Sequence, residues 1–233
     1  MAECEAERMK RIQSLTVRAL FADLSHTLAS PLLEQCVYPW EVLDELAEFI
    51  RETGKNLPAE EYNCLGDGIY AAKSAVIAPS ASVSGPCIIG AGAEIRHGAF
   101  IRGSALVGAG AVVGNSTELK NCILFDGVQV PHFNYVGDSV LGYKSHMGAG
   151  AVTSNVKSDK TPVTVACAGE KIETGRKKFG AALGDYVEVG CHCVLNPGTV
   201  IGKNTNIYPL SSVRGSIGAD SIYKTGGIIV KKR

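Results

Sequence analysis

The chain has no excess of either charge: among its 233 residues, 23 lysines and arginines meet 23 aspartates and glutamates. That balance excludes the whole-molecule field that draws proteins to nucleic acid or anionic membrane, and it favours a small polar ligand. No run of 18 apolar residues occurs, so no transmembrane helix is expected. The N-terminus, Met1-Ala2-Glu3-Cys4-Glu5-Ala6-Glu7, lacks the apolar core of a secretory signal, and a soluble, cytoplasmic protein is expected. Cysteine framework spacing is also missing. Cys4, Cys36, Cys64, Cys87, Cys122, Cys167, Cys191 and Cys193 are scattered, and are read as reduced, mostly buried thiols.

What the chain has in abundance is a six-residue beat of aliphatics: Ile77, Val83, Ile89, Ile95, Ile101, Val107, Val113 and Leu119, resumed at Leu183, Val189, Leu195, Ile201, Ile207 and Val213. Many are followed by glycine, as in Ile89-Gly90, Val107-Gly108 and Ile201-Gly202. Helices and globular sheets keep periods of 3.6 and 2, so a period of six excludes both. It specifies an all-β solenoid, a parallel β-helix of hexapeptide repeats with three hexapeptides per triangular coil of roughly 18 residues.

The first sixty residues differ. Val17, Leu20, Phe21 and Leu24 fall at helical spacing, and a second helix is predicted from Pro39 through Val42, Leu43, Leu46, Phe49 and Ile50 to Gly54. Residues 1–60 are therefore read as a helical N-terminal cap that closes the open first coil. The β-helix is assigned to 61–218. Its beat slips once, near Leu141, and disappears over about 156–182, where an inserted loop is expected at a corner. Residues 219–233 are read as a basic C-terminal tail ending in Lys231-Lys232-Arg233. Trp40, the single tryptophan, serves either packing or contact.

Two features carry chemistry. Arg102 and Lys120 lie 18 residues apart in unbroken phase, so they stack on neighbouring strands about 4.8 Å apart, where like charges repel. A phosphate between them would relieve that cost; splaying into water to pair with Glu94 or Glu118 is the alternative. His132, less than one coil later in Val130-Pro131-His132-Phe133-Asn134-Tyr135, offers a near-neutral base, or else a histidine bonded at a solenoid edge.

The stretches Gly114-Asn115-Ser116-Thr117-Glu118-Leu119-Lys120-Asn121, Pro131-His132-Phe133-Asn134-Tyr135-Val136-Gly137-Asp138 and Met147-Gly148-Ala149-Gly150-Ala151-Val152-Thr153-Ser154-Asn155 carry a resemblance. They resemble the acetyltransferase domain of the bifunctional glucosamine-1-phosphate N-acetyltransferase / N-acetylglucosamine-1-phosphate uridyltransferase family, over roughly residues 75 to 218. The loop around Gly175-Arg176-Lys177-Lys178-Phe179-Gly180-Ala181 is similar to that of its longer-loop members. The resemblance implies a left-handed β-helix, a homotrimer with sites between subunits, and acetyl transfer from acetyl-CoA to an amino-sugar phosphate. It implies His132 as general base, with Arg102 and Lys120 on the phosphate, Tyr135 and Asn155 on the sugar, and Lys160 as a loop lysine one residue out of register. Cys191, Pro209, Lys177 and Lys178 would line coenzyme A. Two positions depart from the pattern: His146 stands where asparagine is usual, and Cys191 where serine is. The first seventy residues hold no glycine-rich nucleotide loop and are too short for a uridyltransferase domain, so no UDP-sugar synthesis is expected.

Two rival readings exist. Cys191-His192-Cys193 suggests a metal, but neighbouring strand residues point to opposite faces and cannot share one ion, although Cys191 and Cys193 could share a face; no metal is predicted. A non-catalytic sugar-phosphate or nucleotide-sugar binding protein, or an accessory subunit of a separate nucleotidyltransferase, would keep the cation pair and need no base.

Overall fold

The computed structural model describes residues 12–232; the N-terminal segment with Cys4, and Arg233, lie outside the described residues. Strands wind into three parallel faces. On the first, Ile69–Ala72 is followed by Cys87–Ile89, Ala105–Val107, the second halves of Glu118–Leu124 and Tyr135–Leu141, then Ala181–Leu183, Thr199–Ile201 and Ser216–Ile217. The second face runs from Val76–Ile77 through Val112–Asn115, Gln129–His132 and His146–Met147 to Ser221–Lys224. The third runs from Ser82–Ser84 through Phe100–Arg102, the first halves of Glu118–Leu124 and Tyr135–Leu141, Val152–Thr153 and Val194–Leu195 to Ser212–Val213. The beat residues Ile89 through Leu119 point inward and are buried, while Ile77 and Val83 in the open first coil are only partly covered.

The beat slips twice, not once. Buried positions step by five residues from Leu119 to Leu124 and again from Val136 to Leu141; the register of paired strands drops from 18 to 17 residues at the first step and stays at 17 across the second. The cause is the corner between the third and first faces. An ordinary corner uses two residues, Gly103 and Ser104, both at positive φ; the short corners use one, Asn121 or Asp138, at φ 50° and 48°. Asn and Asp tolerate this left-handed conformation better than other side chains, so they can turn the chain in one residue.

Among the described residues the helical segment lies along the flank of the first face and not over the open first coil. Short helices Val17–Leu20 and Ser30–Leu33 and a longer one, Leu46–Lys55, form the layer, and the last packs on the strands around Ile88, Leu106 and Ile123. These residues point outward from the coil, yet they are fully buried by the layer. Each such side chain contributes about 1.5–3 kcal/mol when covered. Further along, Phe21 meets Phe125 at 4.7 Å, and Trp40 lies between Tyr38 and Phe179. The buried Asp185 carboxylate latches the layer to the solenoid by accepting from the backbone N–H of Ala22 (2.7 Å) and of Tyr143 (2.9 Å). Burial raises the Asp185 carboxyl above its ordinary pKa, against the lowering effect of those two bonds.

Between Leu141 and Leu183 the paired registers jump by 42 residues, and the excursion is an ordered arm. Its antiparallel hairpin, Thr164–Cys167 with Glu170–Glu173, buries Val163, Val165 and Cys167 against the later coils. The segment read as a basic tail is a second hairpin, Ser221–Lys224 with Ile228–Lys231, added to the second face.

Candidate functional site

The register places Arg102, Lys120, Gly137, Ser154, Asn196 and Arg214 in one outward column along the edge where the third face meets the first. The stacking of Arg102 and Lys120 is therefore present, but its electrostatic cost is relieved by carboxylates. Arg102 Nη1 donates to Glu118 Oε1 at 2.6 Å, and Lys120 Nζ lies 3.3 Å from Asp138 Oδ2. Asp138 is 3% exposed at its side chain and its two oxygens also accept from Asn121 Nδ2 (2.9 Å) and Asn155 Nδ2 (2.6 Å). Asn121, Asp138 and Asn155 thus form a ladder across three coils, built on the short corners.

Tyr135 completes this cluster. Its ring lies over Gly137, where a Cβ would fall 2.4 Å from the phenol oxygen, and that oxygen accepts from Asn155 Nδ2 at 3.2 Å. Partial burial, and then the Asp138 and Glu118 carboxylates, hold the phenol above its ordinary pKa. The proton therefore stays on, and the hydroxyl remains a donor for a ligand oxygen.

His132 occupies the opposite edge of the third face, where it meets the second. The register stacks it between Asn115 and Ala149, with Cys191 and Pro209 on the coils beyond. The imidazole is exposed, and its ring nitrogens have no hydrogen-bond partner among the described residues. The backbone carrying it is fixed by buried Asn134. Its Oδ1 accepts from His132 N–H at 3.0 Å, and its Nδ2 donates to the carbonyls of Gly148 and Ala151. His132 thus has a rigidly mounted backbone and an imidazole without a hydrogen-bond partner among the described residues.

The fold gathers Arg102, Lys120, Tyr135 and Asn155 at one edge of the third face, and His132, Cys191 and Pro209 at the other. The remaining expected residues lie elsewhere. His146 is on the second face, above Gln129, with Nδ1 2.8 Å from Glu188 Oε2. Lys160 is exposed at the start of the arm, and Lys177 and Lys178 are exposed at its return beside Phe179, far along the chain's other edge from Cys191. Neighbouring Arg176 pairs with Asp44 of the helical layer. Cys191 and Cys193 do not share a face: His192 turns a corner at φ 55°, leaving Cys191 exposed and Cys193 buried with its thiol 3.1 Å from the Tyr208 carbonyl. Among the described residues no group of three metal-ligating side chains converges, and no helix is long and apolar enough to cross a membrane.

Sequence reasoning named Glu118 as a possible partner of the cation pair, which it is for Arg102, and missed Asn121, Asn134 and Asp138. The signal for the two corner residues was there, in the two five-residue steps of the beat.

A family model described as the GMPPB C-terminal domain matches residues 71–179. The chain is 39% identical over 121 residues to a "Bifunctional protein GlmU" of Methanococcus vannielii, covering 52% of this chain and 29% of that one. It is 36% identical over 111 residues to a "Bifunctional sugar-1-phosphate nucleotidylyltransferase/acetyltransferase" of Sulfurisphaera tokodaii, covering 48% and 28%. The matched stretch is therefore less than a third of the length of these relatives. Among solved structures, a perosamine N-acetyltransferase from Caulobacter crescentus in complex with CoA and GDP-perosamine aligns at 17% identity and a TM-score of 0.34, over 70% of this chain and 56% of that one. The chain is a hexapeptide-repeat solenoid whose sequence resembles the acetyltransferase part of bifunctional sugar-1-phosphate nucleotidylyltransferase/acetyltransferases.

Proposed function

We propose that the chain is an acetyl-CoA-dependent N-acetyltransferase acting on an amino-sugar phosphate such as glucosamine-1-phosphate, with His132 as general base. The observation that carries this reading is the pairing of a rigidly mounted, free imidazole with a polar cluster at the far edge of the same face, in a chain similar to named acetyltransferases. The sugar lies across the third face, held by Tyr135 and Asn155. Arg102 presents five donors, and only one of its contacts, to Glu118, is occupied, so it can take a phosphate oxygen beside Lys120.

The edge beyond His132 suits the pantetheine arm of acetyl-CoA. Ala149 and Cys191 are small, and Gly150 leaves space that the His192 ring fills. Cys191 and Pro209 flank the arm, and acetyl-CoA supplies the acetyl group as a thioester. His132 accepts the proton as the substrate nitrogen attacks the acetyl carbon; the C–N bond forms, the C–S bond breaks, and the thiolate is reprotonated. Proximity on the rigid solenoid supplies a large part of the rate.

His146 is bonded to Glu188 on the second face, and Lys160, Lys177 and Lys178 are exposed on the arm, so a neighbouring subunit would bring them to the His132 edge. A cytoplasmic homotrimer with shared sites accommodates them. The exposed Phe133, Tyr208 and Leu210 beside the His132 edge support such a contact.

The test is acetyl-CoA-dependent thiol release with glucosamine-1-phosphate. His132→Ala lowers turnover about 10²–10⁴-fold while the variant stays folded. Absence of thiol release by the wild type with every amino-sugar acceptor refutes the enzyme. The reading then favoured is a non-catalytic binding protein or accessory subunit.

A further inference from the structure

The column of cations on the third face does not end at Lys120. Arg214 lies four strands further on, about 19 Å away at the usual strand spacing, so one phosphoryl group cannot touch both. The two ends differ electrostatically. Arg102 and Lys120 are each paired with a carboxylate, whereas Arg214 makes no ion pair or hydrogen bond among the described residues.

Arg214 borders a cleft of about 380 Å³ between the arm and the late coils, lined also by Ser154, Lys157, Ser158, Asp159 and Asn196. The hydroxyls of Ser154 and Ser158 make no hydrogen bond among the described residues. Lys157 Nζ is tethered by Thr161 Oγ1 at 2.5 Å and lies 3.6 Å from Asp159. Asp159, the one carboxylate in the lining, is already engaged by the Thr161 N–H and hydroxyl as well as by Lys157, which hold its pKa below the ordinary value. The cleft thus carries two cations against one occupied anion, and two spare hydroxyl donors.

We infer that this cleft is a second anion site, distinct from the Arg102–Lys120 edge, and that it takes a diphosphate. Arg214 supplies a planar fork for two phosphoryl oxygens, and Lys157 a point charge on the opposite wall. Ser154 adjoins Asn155, so the site abuts the sugar subsite. A diphosphate bound there belongs either to a nucleotide-linked sugar or to coenzyme A. The inference concerns binding and stands without the acetyltransferase reading.

Calorimetric titration with inorganic pyrophosphate tests it. Wild type binds, Arg214→Gln and Lys157→Gln each weaken binding about tenfold or more, and Arg51→Gln on the helical layer leaves it unchanged. Arg214 is exposed and unpartnered, so its replacement does not threaten the fold. Displacement of pyrophosphate by UDP identifies the nucleotide source, and displacement by coenzyme A identifies the other. No binding at millimolar pyrophosphate, full affinity in Arg214→Gln, or displacement by neither compound overturns the inference.

Discussion

Gly137 controls the third face by having no side chain. Its φ is not in the left-handed region, so alanine is acceptable to the backbone, but the added carbon would meet the Tyr135 phenol at 2.4 Å. Gly137→Ala should therefore swing Tyr135 away from Asn155 and raise KM for the acceptor about tenfold, the equivalent of one lost hydrogen bond, with KM for acetyl-CoA unchanged. Steady-state kinetics with each substrate varied would show this; an unaltered acceptor KM removes Tyr135 from the sugar subsite. At this scale the sequence was partly legible. Arg102 and Lys120 could be stacked from the beat alone, whereas Tyr135 entered through the resemblance. Glu118 could be named as a carboxylate partner, but Asp138 could not, because it arrives through a shortened corner that breaks the beat being used as the ruler.

At the scale of elements, the solenoid was readable because every inward position obeys one period. The place of the helical layer was also written in the chain, in a second pattern. At every third hexapeptide two aliphatics adjoin, as in Ile88-Ile89, Leu106-Val107, Ile123-Leu124, Val140-Leu141 and Val200-Ile201. Neighbouring strand residues point to opposite sides, so these strands are apolar both inside and out, and the first face must be covered. Helical spacing in the N-terminal segment could not reveal which surface it covers. Asp185→Ala tests the latch: two backbone donors lose their acceptor, and stability should fall by roughly 2–6 kcal/mol. Denaturant unfolding, with hydrogen exchange at residues 17–55, should show the layer loosening first; a loss below about 0.5 kcal/mol would mean that apolar contacts alone hold it.

The whole molecule is a ruler of stacked coils with one face covered and two left open. The covered first face leaves the second and third for ligands and for other copies of the chain. The arm was legible only as a gap in the beat, since its hairpin follows the strand period of 2 and its burial depends on coils that come later in the chain. The central claim is that the edge running from His132 past Ala149 and Cys191 to Pro209 receives acetyl-CoA. A crystal structure of the complex with coenzyme A is the most direct measurement. The account predicts the pantetheine sulfur beside His132 and the arm along Cys191 and Pro209. Coenzyme A bound elsewhere, with the His132 edge filled by another chain's side chains, would contradict it.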